Sequence, residues 1–380
     1  MPLHRPLLHR LSGALAGVVA TLCLITSVAA QHSGGFSLPG WRTNWDKHII
    51  DTSELEVNIP RDAIPSVDNP KFVSIEAARA WLKNKEPVVS LAIDGVARAY
   101  PLQVLTWHEI VNDGKSFSIP VTVSFCPLCY SAIVFDRRVD GEVHDFGVSG
   151  MLRKSDLVMY DRQTQTLWQQ LAGEGIVGDL AGKKLVQLPA QIISFEQFYL
   201  AHPHGKVLSR DTGFSRNYGH NPYVGYDDIS QRPFLYKGPA DDRLRPMEKV
   251  ITVSADGVNR AYPYSLTRKR HVIADEVGGR QVVVFHSPKG ATSALDKSSI
   301  ANSHEVGSTG VFDPMVKGKH LHFQYEKERF VDAETGSHWD ITGKAVSGPM
   351  AGRQLTPIAH GDYFAFAWFA FKPDTSVYRN

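Results

Sequence analysis

Two cysteines separated by two residues, Cys126 and Cys129 in Cys-Pro-Leu-Cys, are the residues of this sequence best suited to chemistry. At this spacing both sulfurs can face one point, where they can close a disulfide or clamp a soft metal ion. Three readings follow, in order. The first is a thiol site cycling between dithiol and disulfide, with Cys126 as the attacking thiolate and Cys129 as the resolving one, served by a redox partner. The second is a soft-metal site, copper before zinc, using both thiolates and His108 and loaded by a metal donor. The third is a non-catalytic β-rich binding module with a structural disulfide. So short a loop constrains the unfolded chain least, and its closure is worth only on the order of 2 kcal/mol.

The flanking residues restrict these readings. In thioredoxin-like sites a helix follows the first cysteine and stabilises its thiolate. Here residues 130–135 (YSAIVF) read as a strand, which puts the pair at a hairpin tip. Such a tip resembles the knuckles of zinc ribbons and rubredoxins, which need four ligands. No second knuckle exists, so histidines would have to complete a metal site. His108 in Trp107-His108-Glu109 comes first and His144 next, and in the second half His271 and His286 are available, with His286 aligned to Cys126. Glu109 either supports His108 or is a surface acid. Tyr130 stands where a c-type haem attachment would need His.

A second candidate region is rich in Tyr, Arg and Asp. Arg210, Asp211, Arg216, Tyr218, His220, Tyr223 and Tyr226 offer donors, a carboxylate and aromatic walls, as ligand pockets do. The alternative is a fixed Asp–Arg pair with Tyr hydroxyls satisfying buried backbone.

An internal duplication supplies the elements that position these residues. DGVARAYP at 94–101 recurs as DGVNRAYP at 256–263, and IVND at 110–113 matches VIAD at 272–275 with the same offset. DRQTQTLW (161–168) and DAETGSHW (332–339) then each lead into a Gly-rich stretch. Two copies are too few for a solenoid. Asp94, Arg98, Asp161 and Trp168 recur while the cysteines do not, so they read as architecture. β-branched runs and Asp-Gly turns predict an α+β, β-rich fold of two duplicated lobes of mostly antiparallel strands with short helices. The divisions are a leader (1–30), an N-terminal extension with one helix from Ile75 to about Lys83 capped by Ser74 (31–84), a first lobe with the Cys pair (85–210), a joiner (211–247) and a cysteine-free second lobe (248–380). Ser194 and Gln197 form a capping box before a short closing helix, and Asp362 is expected to cap its counterpart. So aromatic a joiner is expected to pack along the interlobe cleft rather than swing freely.

The leader carries Arg5 and Arg10, an apolar run at 11–28 and small residues before Gln31, as cleaved signal peptides do. The alternative is an uncleaved anchor. Cys23 leaves with it. Lys and Arg number 41 and Asp and Glu 39 in the whole chain, and the leader removes two of the cations. Zero net charge excludes an electrostatic nucleic-acid binder. No later apolar run spans a bilayer, so the mature body is expected to be soluble, and periplasmic or secreted. No Gly-rich phosphate loop, His-Glu-x-x-His helix or Gly-x-Ser-x-Gly elbow appears, which leaves kinase and hydrolase readings without support.

With these motifs in hand, the chain resembles the uncharacterised family catalogued as domain of unknown function 3179. TWHEIVND (106–113), SFCPLCYSAIVFD (124–136), DRQTQTLW and SRDTGFSRNYGHNPYVGYDD (209–228) carry the likeness. It implies an exported or envelope location and no settled activity, with one active lobe and one scaffold lobe. Expressed with its leader, the chain should accumulate outside the cytoplasm with Gln31 as its first residue, read by intact mass. Full-length protein held in membranes would identify an anchor instead.

Overall fold

The repeated Asp-Gly pairs turn matching hairpins. Pro87–Ile93 runs antiparallel to Val96–Pro101, and Lys249–Ala255 to Val258–Pro263. Asp94 and Gly95 have φ of 49° and 78°, Asp256 and Gly257 46° and 80°. Two successive positive φ angles match the right-handed twist of the flanking strands. The computed structural model describes residues 38–379, so the leader lies outside the described residues. None of the described helices is long and apolar enough to cross a membrane.

The fold is α+β and β-rich. In the first repeat the hairpin joins a mixed sheet ordered Gln191–Ser194, Pro87–Ile93, Val96–Pro101, Lys206–Leu208 and Phe72–Ser74. The helix Leu102–His108 leads to an antiparallel sheet of Ile110–Asp113, Val121–Cys126, Ser131–Asp136 and Val186–Leu188. A third sheet holds Phe146–Arg153, Asp156–Asp161, Leu167–Gln169 and Glu174–Val177. The second repeat has the same order: Tyr264–Arg270 for the helix, Val272–Val277, Arg280–Ser287 and Ser308–Asp313 for the middle sheet, and Phe323–Glu326 to Ala345–Ser347 for the third.

Recurrent polar residues hold both copies in the same way. Asp161 is fully buried and accepts from Trp168 Nε1 at 3.0 Å and Thr164 N at 2.7 Å. Asp332 accepts from Trp339 Nε1 at 2.8 Å and Thr335 N at 2.7 Å. Tyr100 donates to Asp113 at 2.8 Å, and Tyr262 to Asp275 at 2.9 Å. Each of these acids is therefore satisfied within its own repeat, as burial requires of Asp113, Asp161 and Asp332.

The repeats do not pack as separate bodies. The described residues fall in one compact unit. The segment that closes each repeat packs on the middle sheet of the other. Phe364, just before the helix Ala365–Phe371, gives its N–H to Cys129 O at 2.9 Å and shares a core with Tyr130. In return, Ile193, Phe195 and Phe198 pack with Phe285 and Phe312. Gln191 Nε2 donates to Thr309 O at 2.9 Å, and Gln187 Nε2 to His360 O at 3.0 Å.

Three local expectations change. The N-terminal helix is only Ile75–Ala78, capped by Ser74 through Ala77 N at 3.2 Å; beyond it the chain turns, with Glu86 Oε1 accepting from Lys83 N at 2.8 Å. The capping box at Ser194 is present, but Asp362 caps nothing. It sits inside the strand His360–Phe364 and accepts from Tyr264 and Thr309, each at 2.9 Å. His286 does not occupy the place of Cys126. Ile110 pairs with Ser124 and Val272 with Phe285, so His286 matches Phe125 and Ser287 matches Cys126.

Replacing Asp161 or Asp332 by Ala leaves a buried indole N–H without an acceptor, and either change should lower unfolding free energy by about 3 kcal/mol in urea denaturation. A loss under about 1 kcal/mol would show that these bonds are dispensable.

Candidate functional site

The Cys pair lies at the tip of the hairpin formed by Val121–Cys126 and Ser131–Asp136. Cys126 pairs with Ser131, and the turn closes through Cys129 N to Cys126 O at 3.2 Å. Pro127 suits the second position of such a turn. Both thiols are free, Cys126 2% exposed and Cys129 0%.

The third member of the site is Asp156, the first residue of the strand Asp156–Asp161. The Cys126 and Cys129 sulfurs and an Asp156 oxygen lie within 4.8 Å of one another. Asp156 is wholly buried. Its Oδ2 accepts from Gln169 Nε2 at 2.7 Å and Leu171 N at 3.0 Å. Its Oδ1 is buried without a hydrogen bond of normal geometry. Cys129 Sγ also approaches Ser155 O at 3.5 Å. Behind the hairpin, Ser131 donates to Gln170 Oε1 at 2.7 Å, and Gln170 Nε2 to Ser124 Oγ at 2.9 Å, which fixes both strands at the tip.

Glu109 brings a second carboxyl. It is 7% exposed, and its side chain makes no hydrogen bond among the described residues. It terminates the helix Leu102–His108 with φ 57°, and His271 does the same in the second repeat with φ 63°. That backbone shape thus belongs to the shared architecture, whereas the acid belongs to this copy alone.

All four groups resist ionisation. Burial, with the Asp156 charge beside it, pushes Glu109 up to about 8. Burial pushes Asp156 up to about 6 against the hydrogen bonds of Leu171 and Gln169. Burial raises Cys126, which the Cys129 thiol partly offsets, and raises Cys129 further because Cys126 and Asp156 add to the effect. Desolvation dominates in each case, and no described cation is among the causes.

The joiner covers the tip. Tyr226 donates to Leu128 O at 3.1 Å and accepts from Phe234 N at 3.1 Å. Tyr223 is pushed up by burial and by the Glu109 and Cys126 charges it faces. From the second repeat, Lys249 sits 3.9 Å over the Tyr130 ring and 3.4 Å from Asp227.

The residues expected from sequence separate into distinct places. Cys126 and Cys129 meet. His108 is buried, but its Nδ1 bonds Pro65 O and its Nε2 bonds Tyr218 Oη, each at 2.6 Å, and it is not part of the Cys126–Cys129–Asp156 group. His144 bonds Asp161 at 3.2 Å. Arg210 and Tyr218 line a cavity of about 410 Å³ with Glu86 and His220, and Arg210 donates to Gln103 at 2.8 Å. Asp211 pairs with Lys71 at 2.7 Å on the surface rather than with an arginine, and Arg216 is exposed. Of the joiner residues, Tyr223 and Tyr226 are the ones that attend the cysteines.

Asp156 escaped the sequence reading, yet comparing the repeats contains a signal for it. Met159 faces Trp168 as Phe330 faces Trp339, so Arg329 stands at the place of Val158, and the second hairpin turns before reaching a counterpart of Asp156. Glu109 becomes His271. The two site carboxyls are thus acids only in the copy that has the cysteines.

An acid whose folded pKa lies above its unfolded value weakens the fold as pH climbs between the two. For Glu109 that window runs from its ordinary 4.5 to about 8. Glu109→Gln should therefore stabilise the metal-free protein increasingly from pH 5 to 8, measured as the difference in melting temperature from wild type. A difference that is flat or reversed over this range would contradict the burial of an unpaired acid.

No curated protein and no solved structure matches the chain. A family model, described as protein of unknown function (DUF3179), matches residues 61–375. That span takes in the Cys pair, Glu109, Asp156 and the covering tyrosines, and the chain belongs to this family.

Proposed function

We propose that the protein is an exported metal-binding protein that holds a thiophilic divalent cation on Cys126, Cys129 and Asp156. The observation that carries this reading is the buried Asp156 Oδ1, which lacks a hydrogen bond of normal geometry and has beside it the thiol of Cys129, one of two buried free thiols. A buried polar atom without a partner costs about 1–3 kcal/mol, more if charged, and a cation at that point removes the cost for all four acidic groups at once. In a tetrahedral site with metal–sulfur bonds of about 2.3 Å, neighbouring donor atoms lie about 3.8 Å apart, within the spread seen here. Two sulfurs and a carboxylate oxygen suit zinc before copper, because the oxygen is a harder donor than the histidine expected from sequence. Three protein donors leave a fourth position for water or substrate, and Glu109 stands close enough to feel the Asp156 charge.

Disulfide cycling is the second reading, favoured by the proximity of the two free sulfurs. Both thiols are buried and held protonated, whereas an attacking thiol needs thiolate character and access. The leader supports a periplasmic or secreted location, where the site would be loaded by a metal donor.

The test titrates Cd²⁺, Co²⁺ and Zn²⁺ into reduced, metal-free protein and follows thiolate-to-metal charge-transfer absorption. One equivalent should bind, with Cys126→Ser, Cys129→Ser and Asp156→Asn each weakening affinity at least 100-fold and His108→Phe leaving it unchanged. Absence of a charge-transfer band in folded protein would sink the metal reading. A reversible disulfide in defined thiol buffers, by alkylation and mass measurement, would then establish the redox one.

A further inference from the structure

A cavity of about 710 Å³ lies between the joiner and the helix Ala365–Phe371. Its size falls within the range of small-molecule sites. Phe366, Phe369 and Tyr236 form its apolar surface, and Pro246 and Leu244 close one side. Tyr236 and Phe366 have ring centroids 5.1 Å apart.

The charges at its edge are two cations and one carboxylate. Lys154 and Arg232 both line the cavity. Arg232 makes no ion pair among the described residues. Lys154 donates to Ala370 O at 3.3 Å and lies 3.9 Å from Glu54, which Arg153 already holds at 2.9 Å. The one lining carboxylate, Asp241, is closed off by Arg243, whose Nε lies 2.9 Å from Oδ1 and 3.1 Å from Oδ2. Arg243 itself lies 3.9 Å over the Phe369 ring and donates to Pro373 O at 2.8 Å. A ligand therefore meets an apolar wall and two cations, with the acid already neutralised.

We propose that this cavity binds an apolar molecule bearing a single acidic group, its chain against Phe366, Phe369 and Tyr236 and its acid at Lys154 and Arg232. A neutral apolar ligand would leave Arg232 without a counter-charge, and a cationic one would meet like charge. The site is independent of the metal reading, since none of Cys126, Cys129 and Asp156 lines it.

The experiment is calorimetric titration of the mature chain with decanoate and, separately, with decyltrimethylammonium, both below their micelle-forming concentrations. The two probes share a chain and differ in the sign of the head. Decanoate should bind saturably with one equivalent and at least tenfold more tightly than the cation. Arg232→Glu should remove that preference. Ala240→Trp, a change at an exposed residue of the cavity wall, should weaken decanoate at least tenfold while leaving the melting temperature and the metal titration unchanged. No saturable binding, equal binding of the two probes, or full affinity in the Ala240→Trp protein would each overturn the proposal.

Discussion

Taking two thiols and two carboxyl groups out of water at one place is the constraint around which the first repeat is arranged. An isolated buried carboxylate costs several kcal/mol even after relaxation, and the usual escape is to stay protonated. Glu109 and Asp156 take that escape in part, at about 8 and about 6. A fold can carry such a group only if its neighbours cannot move to let water in. The neighbours here are backbone: Leu171 N on Asp156, Ser155 O on Cys129, Phe364 N on Cys129 O. Side chains that could relax, such as Gln170, are fixed at both ends.

The exchange of closing segments explains how the tip is kept dry. A hairpin tip normally projects into solvent, because its loop carries backbone groups that water satisfies. This one is covered by the closing segment of the other repeat and by the joiner tyrosines. The cover replaces water with Phe364 N–H on one side and Tyr226 Oη on the other. Two lobes packing only at their surfaces would leave the cysteines exposed, and exposed thiols would be far easier to ionise.

Much of this was legible in local sequence, and the rest was not for identifiable reasons. Turn chemistry at Asp94-Gly95 and Asp256-Gly257, the capping box at Ser194 and the repeated Asp–Trp pairs depend on neighbours within a few residues, so periodicity and spacing located them. The hairpin around the Cys pair followed from the strand character on each side. Asp362 misled because a carboxylate before an aromatic run looks like a cap, whereas its partners Tyr264 and Thr309 are 98 and 53 residues away. His108 misled because adjacency to Glu109 suggests a shared site, but a helix end sends successive side chains in different directions. His108 points to Pro65 and Tyr218, and Glu109 faces the cysteines.

The second repeat serves as an internal control for which residues the fold needs and which the site needs. Positions that maintain the shared architecture keep their type in both copies: Asp161 and Asp332, and Tyr100 and Tyr262. At the site every chemical position changes together. Cys126 becomes Ser287, Glu109 becomes His271, the shorter second hairpin has no counterpart of Asp156, and the four-residue link containing Cys129 is replaced by residues 288–307. Losing only the cysteines would have left Glu109-like and Asp156-like acids buried against each other with nothing to balance them. A histidine in place of Glu109 and a hairpin too short to carry Asp156 remove that burden. The acids therefore stand or fall with the sulfurs, as expected if the four serve a common positively charged occupant and not the stability of the sheet.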